Sequence, residues 1–511
     1  MVALSLLCPN PQDGASRERS DMPEVFVDLN LDQIVGRITA GKDEYRLKPF
    51  FYASLDDVDT VLYRHEVMRD LESADLYGYV AAFAEGLRVM REHLARREKL
   101  HYVYQQQEWF LGAVELYCEA VRGLARDLHR AAPASRGFLA LRTYVDGYVD
   151  SDRFKALVAE SEKARAGLAS IDYCMLIKGD TITVRKYEDE SDYSASVMAT
   201  FEKFRQGAVK DYRVRFSEDA GMNHIEAKVL EFVALLFPDV FAELEAYCAR
   251  NQGYLDETLE VFDREIQFYV AYLDYMNTFR RAGLDFCYPE VDDSQKRIFA
   301  RDVYDLALAG KLVAEDKPIV CNEFHLDGKE RIFIVSGPNQ GGKTTFSRTF
   351  GQLHYLANLG CPVPGKAARL FLYDNLYTHF EREENIRNLR GKLEDDLVRI
   401  HRILRGATPR SIIIMNEIFT STTLRDAVFL ASRIMQRIVR LDLLCVCVTF
   451  IDELTRLSNT TVSMISTVVP DDPSRRTYKV VRRPADGRSY AMSIAEKYHL
   501  GVDDLKERLP S

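Results

Sequence analysis

The chain has 511 residues, more than one hydrophobic core ordinarily holds, so two or three domains are expected. Hydrophobic content of 47% beside 29% charged residues excludes a disordered or fibrous chain, and no apolar run of about 18 residues offers a membrane span. The formal net charge of −10 excludes general attraction to polyanions, so a nucleic-acid partner requires a local basic surface.

The N-terminal stretch MVALSLLCPNPQDGASRERSDM has an apolar run too short and too weakly basic at its start for a secretory signal. Its polar continuation leads us to expect a disordered segment over 1–21 and a cytoplasmic protein. Over 22–290 the apolar spacing of three and four predicts a mostly α-helical region. Within it Leu255, Leu259, Phe262, Ile266, Tyr269, Leu273 and Met276 lay one stripe along a long helix. A core face and an intermolecular coiled coil both fit that spacing.

The segment MLIKGDTITVRKYE interrupts the helices. Its short apolar run, Gly179-Asp180 turn and alternating Thr-Ile-Thr-Val predict a β-hairpin near 175–187, followed by the acidic EDESDYS. Two basic clusters are candidates for phosphate contact: Arg88, Arg91, Arg96, Arg97 and Lys99 on one helix, and Lys178, Arg185 and Lys186 flanking the hairpin. Glu92 and Glu98 dilute the first, so a solvated helix face competes with it.

From 291 to 511, short β-branched runs alternate with helical segments, including RIFIVS, SIIIMNEI and LLCVCVTF, which predicts an α/β domain with a buried sheet. The nine cysteines show no C-x-x-C pair, which argues against a disulfide framework or a zinc site. Cys445 and Cys447 share one strand face and read as small buried hydrophobes.

The sharpest chemical signal is RIFIVSGPNQGGKTTFSRTF, a strand that runs into a Gly-x-x-x-x-Gly-Lys-Thr loop and then a helix. Such a loop turns its backbone N–H groups inward on phosphates, and glycines leave the approach open. Gly337, Pro338, Asn339, Gln340, Gly341, Gly342, Lys343, Thr344 and Thr345 are therefore the candidate ATP contacts, with Lys343 on the β- and γ-phosphates and Thr344 on Mg²⁺. SIIIMNEIFTSTTLRDA supplies a second strand, ending in Asn416-Glu417. Glu417 is the candidate catalytic base; Asn416 could reach the metal only weakly or through water, because an amide carries no charge.

Together these residues resemble the MutS family of DNA mismatch-repair ATPases, whose GPN-x-GGK-[ST]-T core reads here as GPNQGGKTT. The likeness continues through YLANLGCPVPGKAARL, VTFIDELT and the closing TYKVVRRPADGRSYAMSIAEKYHL with Ser489-Tyr490. More loosely, SLDDVDTVLYRHEVMRDL resembles the start of that family's lever region. The resemblance implies a multidomain protein in which a helical core or lever region, 22–290, precedes an ABC-type P-loop ATPase domain, 291–511. It also implies ATP and Mg²⁺ as cofactors, a homodimer with composite nucleotide sites, and DNA as partner.

The departures shape the expected activity. At this length there is no room for the family's mismatch-reading domain and connector, so structured DNA rather than a single mispair is the expected ligand. The family's Asp-Glu is Asn416-Glu417, its histidine after the next strand is Phe450, and its trans-acting serine is replaced by Gly391 or Lys392 in NLRGKLEDDLVRI. With the loop intact and these three changed, tight binding with slow or conditional hydrolysis is expected. A nucleotide-gated protein-interaction switch without DNA is the competing reading.

Overall fold

The computed structural model describes residues 4–10, 18–188, 200, 222–381, 391–470 and 472–484. Two compact units divide the chain, one of Ala74–Pro133 and Ala140–Asp263, the other of Met1–Ser73, Ala134–Leu139 and Arg264–Ser511.

The first unit is built on long helices, Ala74–Lys99 and Val103–Ala131, with Asp152–Ala169, His224–Leu236 and Pro238–Arg250. Apolar residues three and four apart bury Phe83, Leu87 and Met90 on one long helix and Phe110, Val114, Tyr117 and Val121 on the next. Side-chain caps start the shorter helices: Ser151 accepts from the Phe154 N–H, and Asn223 forms a reciprocal box with Glu226. Strands β1 (Tyr173–Lys178) and β2 (Thr181–Lys186) pair antiparallel, with Gly179 at φ +66° in the turn. The acidic stretch that follows lies, from residue 189, outside the described residues.

The second unit holds the remaining strands: β3 (Phe286–Cys287), β4 (Glu290–Asp292), β5 (Ile298–Val303), β6 (Asn322–Leu326), β7 (Ile332–Ser336), β8 (Val363–Pro364), β9 (Ala367–Phe371), β10 (Leu376–Phe380), β11 (Ile412–Asn416), β12 (Leu444–Val448), β13 (Thr461–Val469) and β14 (Asp472–Arg482). The main sheet runs β10-β11-β12-β7-β13-β14, parallel except for the antiparallel edge strand β14. A second sheet orders β4-β9-β5-β6. Alternation along β7 sends Ile332 and Ile334 into a core with helices Lys392–Gly406 and Leu424–Leu441. Phe333 faces the other way, 6.2 and 6.1 Å from the rings of Phe346 and Phe350 on helix Lys343–Asn358. The protein thus combines helical and α/β architecture around a mixed multistranded sheet. Cys445 and Cys447, on β12, are fully buried in the first of these two cores.

The stripe from Leu259 to Met276 falls on helix Glu257–Arg281, where Leu259, Phe262, Ile266, Tyr269, Leu273 and Met276 are at most 2% exposed. That burial is intramolecular, which removes the coiled-coil alternative for this face.

Two sequence expectations need correction. The division at 290 does not match the units, because Met1–Ser73 and Arg264–Arg281 belong with the sheet. Asp28, on helix Val25–Leu29, accepts from Thr378 Oγ1 of β10 at 2.7 Å, and its carbonyl accepts from Arg348 Nε at 2.9 Å. Gln352 Nε2 donates to the Leu29 carbonyl, and Tyr355 Oη to that of Phe51. Nor are residues 4–10 disordered: Leu6, Leu7 and Cys8 are at most 3% exposed. Buried Glu265 accepts from Ser5 Oγ at 2.8 Å and the Leu6 N–H at 2.6 Å, while fully buried Arg64 donates to the Leu7 and Leu359 carbonyls at 2.9 and 2.8 Å. A buried carboxylate or guanidinium must have such partners, and composition cannot reveal a partner some 260 residues away. Residues 1–3 and 11–17 lie outside the described residues.

Candidate nucleotide-binding site

The loop between β7 and helix Lys343–Asn358 turns on residues in the left-handed region: Gly337 at φ +119°, Gln340 at +58° and Gly342 at +92°. Gly341 has no room for a side chain, since a Cβ would lie 2.1 Å from Ser466 Oγ, which donates to the Gly341 carbonyl at 2.6 Å. Among the described residues no backbone N–H from Asn339 to Thr344 donates to a backbone carbonyl. These donors lie at the positive end of a sixteen-residue helix, an arrangement suited to phosphate oxygens.

Lys343 is 7% exposed, its ammonium donating to the Gly337 and Pro338 carbonyls at 3.1 Å each and to Asn339 Oδ1 at 3.4 Å. Burial pulls its pKa below the ordinary lysine value; the Glu417 carboxylate opposes that shift and the Arg476 guanidinium adds to it. Thr344 Oγ1 donates to Asn416 Oδ1 at 3.0 Å, so the end of β11 meets the start of the loop helix. Thr344 and Asn416 would hold Mg²⁺ with neutral oxygens, leaving phosphate and water to complete the shell. The described residues contain no cluster of three acidic, histidine or cysteine side chains fit for a metal.

Glu417 follows directly, half-buried, with its N–H donating to the Val448 carbonyl at 2.9 Å. Its φ of +55° and that of Phe419 at +62° are left-handed without glycine, a strain of roughly 1–3 kcal/mol each. Such strain persists where surroundings impose it, and the Glu417 carboxylate lies near enough to act electrostatically on Lys343. At the end of β12, Thr449 is 1% exposed and Phe450 is 53% exposed. Gly391 is the N-cap of helix Lys392–Gly406, and the Lys392 ammonium binds Glu381, which also accepts from Thr420 Oγ1 at 3.0 Å. Residues 388–390 of that segment, and Ser489-Tyr490, lie outside the described residues.

Sequence reasoning missed the β13–β14 hairpin as part of the site. Ser466 lies under the loop, Arg476 Nε donates to the Asn339 carbonyl at 3.1 Å, and the Tyr478 carbonyl lies 3.5 Å from where a Cβ on Gly342 would sit. No phosphate-binding motif marks these residues, because their closeness to the loop comes from sheet order.

The first basic cluster is largely spoken for. Arg88 pairs with Glu85 and Glu92, Arg91 with Asp263 at 2.5 Å, and Arg96 and Arg97 lie over the rings of Trp109 and Phe110 at 4.8 Å each. These arginines therefore serve packing and ion pairing, with Lys99 exposed at the helix end. At the hairpin, Lys186 covers the Phe237 ring at 5.1 Å, while Lys178 and Arg185 are exposed.

A family model described as MutS domain V matches residues 333–503. The chain is 28% identical over 206 residues to an Endonuclease MutS2 from Gemmatimonas aurantiaca, covering 39% of this chain and 25% of that protein. It is 30% identical over 237 residues to a DNA mismatch repair protein MutS from Desulfovibrio desulfuricans, covering 44% and 25%. With the protein of that name from Fervidobacterium nodosum the figures are 24% over 288 residues, covering 54% and 33%. Across these three, the chain spans a quarter to a third of the relatives' length.

Proposed function

With this chain a member of the MutS family through its domain V, we propose that it is an ATP-dependent DNA-binding protein, a nucleotide-switched dimeric clamp on duplex or branched DNA in repair or recombination. The observation that supports the reading is the Gly337–Thr345 loop at a helix N-terminus, with loop N–H groups that bond no backbone carbonyl, a buried Lys343 and an adjacent Thr344–Asn416 pair, a combination suited to polyphosphate.

In this reading the loop N–H groups and Lys343 bind the phosphates, Thr344 and Asn416 orient the metal shell, and Glu417 accepts a proton from the attacking water. When bound, Mg²⁺ would neutralise phosphate charge. Hydrolysis is slow, since Asn416 brings no charge to the metal and Phe450 offers no hydrogen bond on the hydrolytic side. An ABC-type arrangement, in which a second copy completes each nucleotide site, makes ATP the ligand that selects one dimer geometry.

The test is ATPase turnover with and without linear, forked and four-way DNA, together with salt-dependent DNA binding in each nucleotide state. A low basal rate raised by one DNA form is expected. Absence of DNA binding at low salt in every nucleotide state would overturn the DNA half.

A second reading, a nucleotide-gated protein-interaction switch, is favoured by one observation. Strand β1 exposes Met175, Leu176 and Ile177 at 47%, 45% and 67%, an apolar tip better suited to protein than to phosphate. Substituting Ile177→Asp should leave DNA binding intact under the leading reading and abolish partner capture under the second.

A further inference from the structure

Strands β10 and β11 run parallel with Phe380 opposite Asn416, so Glu381 leaves the sheet beside Glu417. Glu381 is an acceptor shared by two later segments. Its Oε1 accepts from Thr420 Oγ1 at 3.0 Å and binds the Lys392 ammonium. Thr420 stands three residues past Glu417, directly after the left-handed Phe419. Ile418 and Phe419 are at most 1% exposed, so the core grips the middle of this turn, while Thr420 is exposed and its bond to Glu381 fastens the end. A backbone conformation this uncommon persists only where surrounding contacts impose it.

Lys392 opens helix Lys392–Gly406, whose N-cap is Gly391. The same helix is tied twice more to the last residues of β10. His379 Nε2 lies 3.2 Å from Asp396 Oδ1, and Arg399 Nη1 donates to the Phe380 carbonyl at 3.2 Å. Lys392, Asp396 and Arg399 are spaced four and three, so they share one helix face. That face and the end of β10 therefore act as one body, and Glu381 links this body to the Glu417 turn through Thr420. Donation from the Lys392 ammonium holds the Glu381 carboxyl below the usual carboxylate range, with burial opposing and Thr420 adding, so the acceptor stays ionised at neutral pH.

We propose that Glu381 is a positioning residue for ATP hydrolysis: through Thr420 it holds the turn that carries Glu417, and through Lys392 it ties that turn to the helix capped by Gly391. The proposal rests on the reading of Glu417 as the base. It makes the hydrolytic side of the site depend on where that helix sits, and leaves phosphate binding at Gly337–Thr345 untouched.

The experiment measures single-turnover ATP hydrolysis and equilibrium ATP binding on the full chain, on Glu381→Gln, Glu381→Ala and Thr420→Val, and on the double variant Glu381→Ala with Thr420→Val, each with a thermal melt. Hydrolysis is expected to fall roughly tenfold in Glu381→Ala and in Thr420→Val, with ATP affinity and melting temperature unchanged. The double variant should be no slower than the slower single variant, because both changes remove the same bond. Glu381→Gln keeps an oxygen for Thr420 and should regain most of the rate. In a Glu417→Gln background, Glu381→Ala should cost nothing further. Turnover within about twofold of the parent in both Glu381→Ala and Thr420→Val would overturn the proposal. So would losses that add in the double variant, a Gln variant as slow as Ala, or a fall in ATP affinity or melting temperature that matches the fall in rate, since none of these fits a residue acting on Glu417 through Thr420. A parent that binds ATP and never hydrolyses it overturns the catalytic reading of Glu417 and this proposal with it; variants that leave a measurable parent rate unaltered overturn this proposal alone.

Discussion

Lys343, Glu417 and His354 show how single residues carry opposed demands. Lys343 is nearly buried yet must remain a cation, so it leans on loop carbonyls and on the Glu417 carboxylate. Replacing Lys343 with Ala is expected to abolish ATP binding, as read by equilibrium titration. Glu417→Gln keeps the side-chain shape and removes the base; turnover should fall roughly a hundredfold or more while ATP stays bound. Unchanged turnover in that variant would remove Glu417 from the chemistry. His354, on the loop helix, is fully buried with Nδ1 2.8 Å from the Phe350 carbonyl, and burial pushes its pKa down to about 4 from 6.5. The folded chain then binds fewer protons than the unfolded chain between those values. Stability from this group is complete above pH 6.5 and falls toward pH 4, by up to about 3 kcal/mol. Asp305 and Glu265, raised by burial, act with the opposite sign. Urea midpoints at pH 7 and pH 5 should therefore converge in His354→Gln relative to the parent.

At the level of elements, the loop helix is a strut between the sheet and the N-terminal segment. Gly351 permits this packing, since a Cβ there would lie 2.7 Å from a Leu29 methyl and 2.8 Å from Ile414 Cδ1. Gly351→Ala should destabilise by about 1–3 kcal/mol, read from denaturant midpoints, because neighbours on both sides must move. Asp28 ties the same segment to β10 through Thr378. Asp28→Ala should cost a further comparable amount, about 1–3 kcal/mol, whereas the Arg348 bond to the Asp28 carbonyl survives the change. Equal stability in Asp28→Ala would show that the side-chain bond contributes nothing net.

For the whole molecule, ligand linkage separates the units. ATP at a hundred times its dissociation constant should stabilise the unit bearing the loop by about 2.7 kcal/mol, raising its calorimetric transition. The single tryptophan, Trp109, lies in the other unit and reports its unfolding by fluorescence. The calorimetric shift should vanish in Lys343→Ala, and a shift that persists there would place ATP elsewhere. No helix among the described residues is long and apolar enough to cross a membrane.

The sequence by itself determined the local chemistry: the phosphate loop, the Asn416-Glu417 strand end, the alternation of β-branched strands with helices, and the turn at Gly179-Asp180. Each of these is a property of neighbours in the chain, where spacing and residue type decide backbone conformation and which face is buried. Only the tertiary structure decided what lies beside what. It buried Ser5–Cys8 against Arg64 and Glu265, assigned Met1–Ser73 to the sheet-bearing unit, spent Arg91 on an ion pair with Asp263, and laid Ser466 and Arg476 along the loop. Those partners are distant in the chain or set by strand order, and a buried charge declares the partner it needs only once the chain has closed around it.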